Sequence, residues 1–472
     1  MFRQKLTTHQ KVIMILQKST QNVNSNAGVF LAKQLLDRMG GFSRFDGWQK
    51  AARSVPCQRY SNSSLVKAQV ALMSLGKTSF SDIAAHQRDD LFADAICGDV
   101  PSEPTFRQRL GVIAAIHGVR DVVDDLNLDL LRRAKDFGTV RTPGGTYMPL
   151  DMDVSVLVND DCRKERVGFT YHRVNGYAPI FATLGTNGFQ LANELRPGEQ
   201  HSQKDFIPFF QRAVGMASLL TPERLLVRLD SGHDSDDTVR TGFELDDFLS
   251  AMSPSCPGTP DGLAFIVKRN PRGESAGRWL EQAKGNSDGP SESYRNDKKG
   301  ADVSVWRGVV SHVKTKSTQD RPLFCVYEVV ETKADDMLLP DVEVSLWWTN
   351  LPDDADTVVR LYHEHATHEQ FHGELKTDLD VERLPSGSFA VNELVLALST
   401  LSFNILRIIG QTALEARGES GGVSRLRLRT VLLNYIYVGA ICGSHGGRRY
   451  LRLGRNCHVA DVFMAIGARL AA

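Results

Sequence analysis

The spacing of apolar residues predicts that residues 1–140 are mainly helical. Capping residues mark two helix starts in this part, one at Ser79 and one at residues 101–104, where proline stands in the first turn. The second helix carries Arg107 and Arg109. Two short helices, the second bearing arginines, are compatible with DNA docking, although a helical domain with surface arginines explains the same pattern. We therefore predict a helical N-terminal DNA-binding domain over residues 1–140.

Near residue 144 the pattern changes to short apolar runs that are typical of strands. The dipeptide Asn187-Gly188 is a hairpin signal between the apolar runs 178–185 and 189–195. One helix is predicted through Phe209 and Ala213, and another around 236–251. The predicted strands are 147–158, 178–185, 189–195, 225–230 and 263–268. Three adjacent strands followed by alternating helices and strands predict an α/β fold with a mixed sheet.

A β-rich insertion is predicted over residues 270–351. Its first thirty residues are polar and rich in glycine and serine, which indicates a surface loop. Helical character returns at 354–376 and 388–415, so the predicted core comprises 141–269 and 352–415. The second of these helices contains polar residues within its apolar run, which favours a buried helix over a membrane span. Three β-rich runs complete the insertion, at 303–310, 323–330 and 342–349.

Charge and cysteine content bear on the binding partner and the cellular compartment of the protein. The 56 basic and 56 acidic residues cancel, but residues 401–472 hold ten arginines against three acidic residues. This basic C-terminal region, 416–472 in the predicted division, indicates either a polyanion partner or a solvated tail. The seven cysteines are odd in number and form no Cys-x-x-Cys pair, which argues against a disulfide framework and predicts a cytoplasmic protein.

Residues 362–376 contain two patterns that share Glu369. His368-Glu369-x-x-His372 matches the zinc-peptidase motif, for which Glu382 or Glu393 would supply a third ligand. The same window places Tyr362, His365, Glu369 and Lys376 on one helical segment. The peptidase interpretation is the remote one, because it leaves two acidic strand residues and the mixed sheet unexplained.

Those acidic residues are Asp153, on the first predicted strand, and Asp230, at the end of the fourth. Asp151 lies two residues before Asp153 and points to the same face of the sheet. With Glu369, the carboxylates offer hard oxygen ligands that suit Mg²⁺ or Mn²⁺ rather than zinc. Ions so held would activate a water or a 3′-hydroxyl and stabilise the leaving oxygen of a phosphodiester. Helix capping by Asp230 and a solvated Asp151 explain either residue alone.

The order of these parts resembles the DDE transposases of bacterial cut-and-paste insertion sequences, over residues 80–410. It resembles most the branch with a Tyr-Arg-Glu-Lys signature, whose spacing Tyr362, His365, Glu369 and Lys376 share. His365 stands where that branch has arginine. The resemblance selects Asp153, in its Asp-x-Ser context, over Asp151.

The resemblance implies an RNase H-like catalytic core in which Asp153, Asp230 and Glu369 bind Mg²⁺ or Mn²⁺. It also implies nicking of the transposon inverted repeats, joining of the 3′-hydroxyl to target DNA, a dimer on double-stranded DNA, and no membrane partner. An RNase H-like nuclease and a catalytically idle DNA-binding derivative stay open as alternatives. Implied DNA contacts are an aromatic residue of the insertion for a flipped base and basic residues after the fifth strand: Trp306, Trp347, Trp348, Lys268, Arg269 and Arg272. Packing in a small β core explains each tryptophan as well, and ordinary surface charge explains the basic residues.

Overall fold

The computed structural model describes residues 16, 18–51, 59–160, 163–298, 300–311, 321–335, 338–418 and 425–471. Five cysteines lie in these ranges and all are free. Cys57 and Cys162 lie outside them.

Helices dominate the first part of the chain, as its apolar spacing predicts. The helices are α1 (Val29–Leu36), α2 (Ser43–Ala51), α3 (Asn62–Met73), α4 (Asp90–Ala95), α5 (Glu103–Ala114) and α6 (Val119–Leu131). The predicted start at Ser79 caps a 3₁₀ helix, Phe80–His86, through a bond from the Ser81 amide to the Ser79 hydroxyl. The short strand β1 (Val23–Asn24) stands apart from the helices and pairs with a C-terminal strand.

The central sheet contains the predicted strands, except that residues 157–158 of the first belong to a separate small sheet, and it adds a short strand that the pattern did not predict. Before the insertion these are β2 (Val140–Thr142), β3 (Gly145–Val154), β7 (Ile180–Leu184), β8 (Phe189–Glu194), β9 (Arg224–Leu229) and β10 (Leu263–Arg269). A small separate sheet is formed by β4 (Leu157–Val158), β5 (Gly168–Phe169) and β6 (Asn175–Tyr177). In the central sheet, β9 lies between β3 and β10 and is parallel to both. On the other side of β3, β7 and then β8 follow as antiparallel neighbours.

The insertion strands extend the central sheet instead of forming a unit of their own. They are β11 (Glu292–Asn296), β12 (Ala301–Val310), β13 (Phe324–Ala334) and β14 (Asp341–Thr349). β14 pairs antiparallel with β10, so the sheet runs in the order β11-β12-β13-β14-β10-β9-β3-β7-β8. The expectation of a loop over 270–300 is wrong in part, because α9 (Ala276–Gly285) packs Trp279 and Leu280 against the insertion strands and β11 forms an exposed edge.

The remaining helices pack against the sheet or against other helices. They are α7 (Phe206–Ser218), α8 (Asp236–Met252), α10 (Ala355–His363), α11 (Thr367–Gly373), α12 (Phe389–Arg417), α13 (Leu428–Val431) and α14 (Ala460–Ala471). The strands β15 (Ala440–His445) and β16 (Arg448–Leu453) form a hairpin that pairs with β1. Apolar residues of the N-terminal helices, the central sheet and the C-terminal segments pack into one continuous core, which reaches from α1 to α14.

Helix α12 runs through the centre of this core, against α3, α6, α14 and β8. It is the one helix, among the described parts of the chain, that is long and apolar enough to cross a membrane. In its most apolar stretch of 18 residues, 83% of the residues are buried inside the protein. This burial fits the predicted core helix.

The predicted helix over 354–376 is broken into four pieces. A 3₁₀ turn (Glu364–Ala366) separates α10 from α11, and a π-helical turn (Glu374–Asp378) follows α11. Interruptions of this kind often mark functional segments.

Candidate catalytic site

The two acidic residues of β3 differ in exposure: Asp151 is buried and Asp153 is more accessible. The register of the parallel strands β3 and β9 sets Asp151 opposite Arg228, and both side chains are 2% exposed. Arg228 donates from Nε to Asp151 Oδ1 (2.6 Å) and from Nη2 to Oδ2 (2.7 Å), and from Nη1 to the Leu361 carbonyl (2.7 Å). Burial alone would raise the pKa of Asp151, but the charges of Arg228 and His365 outweigh it and lower that pKa. Asp151 is therefore a structural ion-pair partner, which ties β3, β9 and the end of α10 together.

Asp153 and Asp230 lie further along the same two strands, where the side chains reach solvent. Their side chains are 26% and 43% exposed. Burial, the charge of Asp230 and the charge of Glu369 raise the pKa of Asp153 to about 7. For Asp230, burial opposes ionisation, but His233, whose Nδ1 lies 2.7 Å from Asp230 Oδ1, and the Gly232 amide lower its pKa. The repulsion felt by Asp153 is the condition that a bound cation relieves.

Glu369 stands on α11 with an exposed side chain, close enough for its charge to act on Asp153. The structure therefore places Asp230 and Glu369 close enough to Asp153 for the charges of both to act on it. In the part of the chain that the structure describes, however, the compact group of ligand atoms is a different one. Asp153, His368 and His372 offer ligand atoms that all lie within 4.8 Å of one another.

The two histidines of the His-Glu-x-x-His pattern are buried against the sheet. His368 Nε2 lies 2.7 Å from Thr183 Oγ1, and His372 Nε2 lies 3.1 Å from His368 Nδ1. Burial lowers the pKa of His368 to about 3 and that of His372 well below its usual range, so both rings are neutral at pH 7. Their burial excludes direct contact with DNA in this conformation.

Of the other signature positions, Tyr362 and His365 lie near the buried Asp151, and Lys376 lies further along the segment. Burial and the charge of Asp230 raise the pKa of Tyr362, whose ring lies 5.5 Å from that of Trp347. His365 Nδ1 lies 3.1 Å from Asp151 Oδ1, so this ring faces an interior carboxylate instead of a phosphate. Lys376 belongs to the π-helical turn, and burial lowers its pKa.

Most of the basic DNA-contact candidates already have protein partners. Arg107 is exposed but pairs with Glu103 (2.8 Å), whereas Arg109 turns inward and donates to Asn62 Oδ1 (2.6 Å). Arg269 pairs with Glu274 and lies 4.8 Å above the ring of Trp348. Two candidates remain beside it: Lys268 is half-buried, and Arg272 is exposed and pairs with Asp234 (3.2 Å).

Trp347, one of the residues predicted to stack on a flipped base, is not accessible to DNA in this conformation. Its side chain is 1% exposed, because it faces the core between the sheet and α10. Trp306 and Trp348 are half-buried, and the indole of Trp348 donates to Asp234 Oδ1 (3.1 Å). These two remain the accessible candidates among the three tryptophans.

Some of the C-terminal arginines form ion pairs within the protein. The carboxylate of Glu374 is fully buried, and Arg407 Nη2 donates to it at 2.6 Å and Arg425 Nη1 at 3.3 Å. Arg427 pairs with Asp378 at 3.5 Å. These contacts join the turn after α11 to α12. The count of arginines therefore overstates the charge offered to a polyanion, which is carried by exposed residues such as Arg448 and Arg452 of the hairpin.

The sequence interpretation missed Arg228, His233 and Glu374 as parts of the site. A signal for Arg228 was present, since an arginine within the apolar run 225–230 has to find a buried partner. The same reasoning applies to Arg407 within α12. Nothing local in the sequence indicated that Glu374 would be the partner of Arg407.

The raised pKa of Asp153 predicts that stability depends on pH. In the unfolded chain this carboxyl has a pKa near 3.8, and in the folded protein about 7, so between these values only the folded state keeps the proton. Stability is therefore lost as the pH rises from about 4 to 7, by up to roughly 1.4 kcal/mol for each pH unit. We expect Asp153→Asn to be more stable than the wild type at pH 8 in chelator-treated buffer, and the difference to shrink at pH 5. Thermal unfolding at both pH values measures this, and equal differences would contradict it.

Comparison with known proteins identifies the family of the chain. The family model described as "Transposase DDE domain group 1" matches residues 6–242 and 325–472, which is well over half of the chain. The unmatched residues 243–324 include β11, β12 and α9. A cryo-EM structure of the piggyBac transposase synaptic complex with hairpin DNA is similar with a TM-score of 0.43 and 11% identity, over 96% of this chain and 85% of that one. None of the curated proteins compared with the sequence matches it. By the extent of the family match, the chain belongs to the DDE-domain transposases of group 1.

Proposed function

We propose that this transposase nicks the ends of a bacterial insertion sequence and joins the freed 3′-hydroxyl to target DNA. One observation carries the proposal. Asp153 and Asp230 stand at the ends of adjacent parallel strands, and Glu369 on α11 is close enough for its charge to raise the pKa of Asp153. Three carboxylates contributed by separate elements fit phosphodiester chemistry better than peptide hydrolysis.

Asp153, Asp230 and Glu369 would hold Mg²⁺ or Mn²⁺, because all three offer oxygen ligands and their mutual repulsion favours a cation. Such ions supply a nucleophilic oxygen and stabilise the leaving oxygen. The protein's own residues fix the geometry. The Asp151–Arg228 ion pair holds β3 against β9, and His233 orients the carboxylate of Asp230.

Arg228 also supplies a physical account of His365, the position that departs from the Tyr-Arg-Glu-Lys signature. The guanidinium of Arg228 neutralises Asp151, and His365 completes the contact with that carboxylate at 3.1 Å. We infer that His365 positions the start of the catalytic segment, and that phosphate contacts come from other residues. Lys376 and the exposed Arg107 are suited to this, as is Lys268 at the end of β10.

The DNA partner of this proposal is double-stranded, comprising the inverted repeats and the target. Paired cleavage of two ends is best served by two active sites, so we infer at least a dimer on DNA. Trp306 and Trp348 are the candidates for holding a flipped base, since both lie half-exposed in the insertion strands. Stacking of this kind stabilises an extruded base by about 1–3 kcal/mol.

The experiment uses the full chain and linear DNA that carries the inverted repeats flanking its coding sequence. With Mg²⁺ or Mn²⁺ we expect nicks at the repeat ends, followed by joined products with a plasmid target. Scrambled repeats of the same length are the control. Nicks without joined products would support an RNase H-like nuclease, and binding without nicks would support a derivative that has lost catalysis.

A further inference from the structure

Asp153, His368 and His372 form a group of ligand atoms that the three-carboxylate site does not explain. His368 Nδ1 lies 3.1 Å from His372 Nε2, which lies 3.8 Å from Asp153 Oδ2. Donor atoms arranged tetrahedrally at about 2.0–2.2 Å from a zinc ion lie about 3.3–3.6 Å from one another. Small adjustments of the three side chains would therefore accommodate such an ion.

The local fold places the two rings independently of any ion. His368 and His372 are four residues apart on α11, which puts them on one helical face. The remaining ring nitrogen of His368 contacts Thr183 Oγ1 on β7, the kind of contact that orients metal-binding histidines. The ring of His372 packs edge-on to Phe181, with centroids 5.1 Å apart.

Two imidazoles and one carboxylate select a different class of metal from three carboxylates. Imidazole nitrogen suits zinc and neighbouring transition metals, whereas Mg²⁺ takes oxygen ligands. The histidine side chains are almost fully covered and Asp153 is 26% exposed, so an ion would enter past the carboxylate. The carboxylate that stands beside the two histidines, where the peptidase motif needs a third ligand, is Asp153, and not Glu382 or Glu393.

We propose that Asp153, His368 and His372 form a zinc-binding site whose occupation inhibits the transposase. The zinc-binding part of this proposal rests on the geometry alone. Inhibition rests on the proposed function, because the carboxylate of Asp153 serves both sites and an ion held by the histidines withdraws it from the set with Asp230 and Glu369.

Zinc binding is measured by calorimetry on the chelator-treated full chain, and the geometry by the visible absorption of bound Co²⁺. We expect His368→Gln and His372→Gln each to weaken binding at least tenfold and to remove the tetrahedral Co²⁺ spectrum. Thr183→Val keeps both rings and is expected to weaken binding several-fold through lost orientation of His368. The matched control is His363→Gln, on α10, whose side chain is 62% exposed.

Thermal unfolding shows whether each variant folds. If one histidine variant fails to fold, the other histidine variant and Thr183→Val test the proposed site. Unchanged zinc affinity in the folded histidine variants would overturn the proposed site. It would also show that cysteines or other surface groups bind the ion.

Inhibition is measured as Mg²⁺-dependent nicking at increasing Zn²⁺, each protein being compared with its own zinc-free rate. We expect half-inhibition of His372→Gln to need at least tenfold more zinc than that of the wild type or His363→Gln. Equal inhibition of all three would overturn the regulatory role. Zinc binding that needs both histidines in a protein that never nicks DNA would uphold the site and overturn the proposed function.

Discussion

Replacing Asp151 with alanine is expected to lower the free energy of unfolding by about 3–5 kcal/mol, because it leaves the guanidinium of Arg228 buried without its counter-charge. The loss is expected at neutral pH, where the lowered pKa of Asp151 keeps this carboxylate ionised in the wild type. Urea and thermal unfolding of the purified protein measure the change.

The matched control is Asp153→Ala, the same substitution two residues along the same strand face. It removes a carboxylate that burial and Asp230 already disfavour, so at pH 8 it is expected to cost far less stability or to increase it. A double replacement, Asp151→Leu with Arg228→Met, is expected to recover most of the loss, since apolar residues can replace a buried ion pair. If Asp151→Ala and Asp153→Ala destabilised the protein equally, the division into structural and catalytic aspartates would be wrong.

The contrast between these two aspartates marks the limit of what the sequence could predict. Alternation along a strand places Asp151 and Asp153 on one face, and a run of apolar residues ending at Asp230 identifies the second strand. Both inferences are local. The pairing of Asp151 with Arg228 depends on the register between strands about 75 residues apart, which no local pattern encodes.

The tryptophans of the insertion illustrate the same limit. Trp347 and Trp348 are consecutive in a strand, so the sequence implies that they face opposite sides of the sheet. Which side carries α10 is settled only when β14 pairs with β10 and the insertion joins the central sheet. Trp347 then lies in the core and Trp348 near Arg269 and Asp234.

The segment 362–376 combines a correct local prediction with an incomplete one. Its helical character agrees with the pattern of the sequence. The break at Glu364–Ala366 and the π-helical turn at Glu374–Asp378 accompany buried contacts with Asp151 and with Arg407, on distant elements. The breaks could not be predicted because those partners were unknown.

Substitution of any one of Asp153, Asp230 and Glu369 by alanine is expected to abolish nicking of the inverted-repeat ends while DNA binding persists. Each removes an oxygen ligand from the set that would hold the divalent ion, and loss of metal-assisted charge stabilisation is worth several kcal/mol, a hundredfold or more in rate. Glu364→Ala is the matched control for Glu369→Ala, since Glu364 is a partly exposed glutamate of the same segment that pairs with Arg360. Nicking rates and gel-shift affinities are measured on the same preparations.

Glu369 is the decisive member of this set, because its side chain is exposed and makes no contribution to the core. Its substitution is not expected to lower the unfolding temperature, so a lost activity cannot be attributed to misfolding. It should also lower the pKa of Asp153, since one of the negative charges that raise it disappears. A Glu369→Ala protein that nicks DNA at the wild-type rate would show that another carboxylate completes the site, with Glu382, near Lys376, the first to test. Loss of nicking in both Glu369→Ala and Glu364→Ala would instead indicate that the segment itself had shifted.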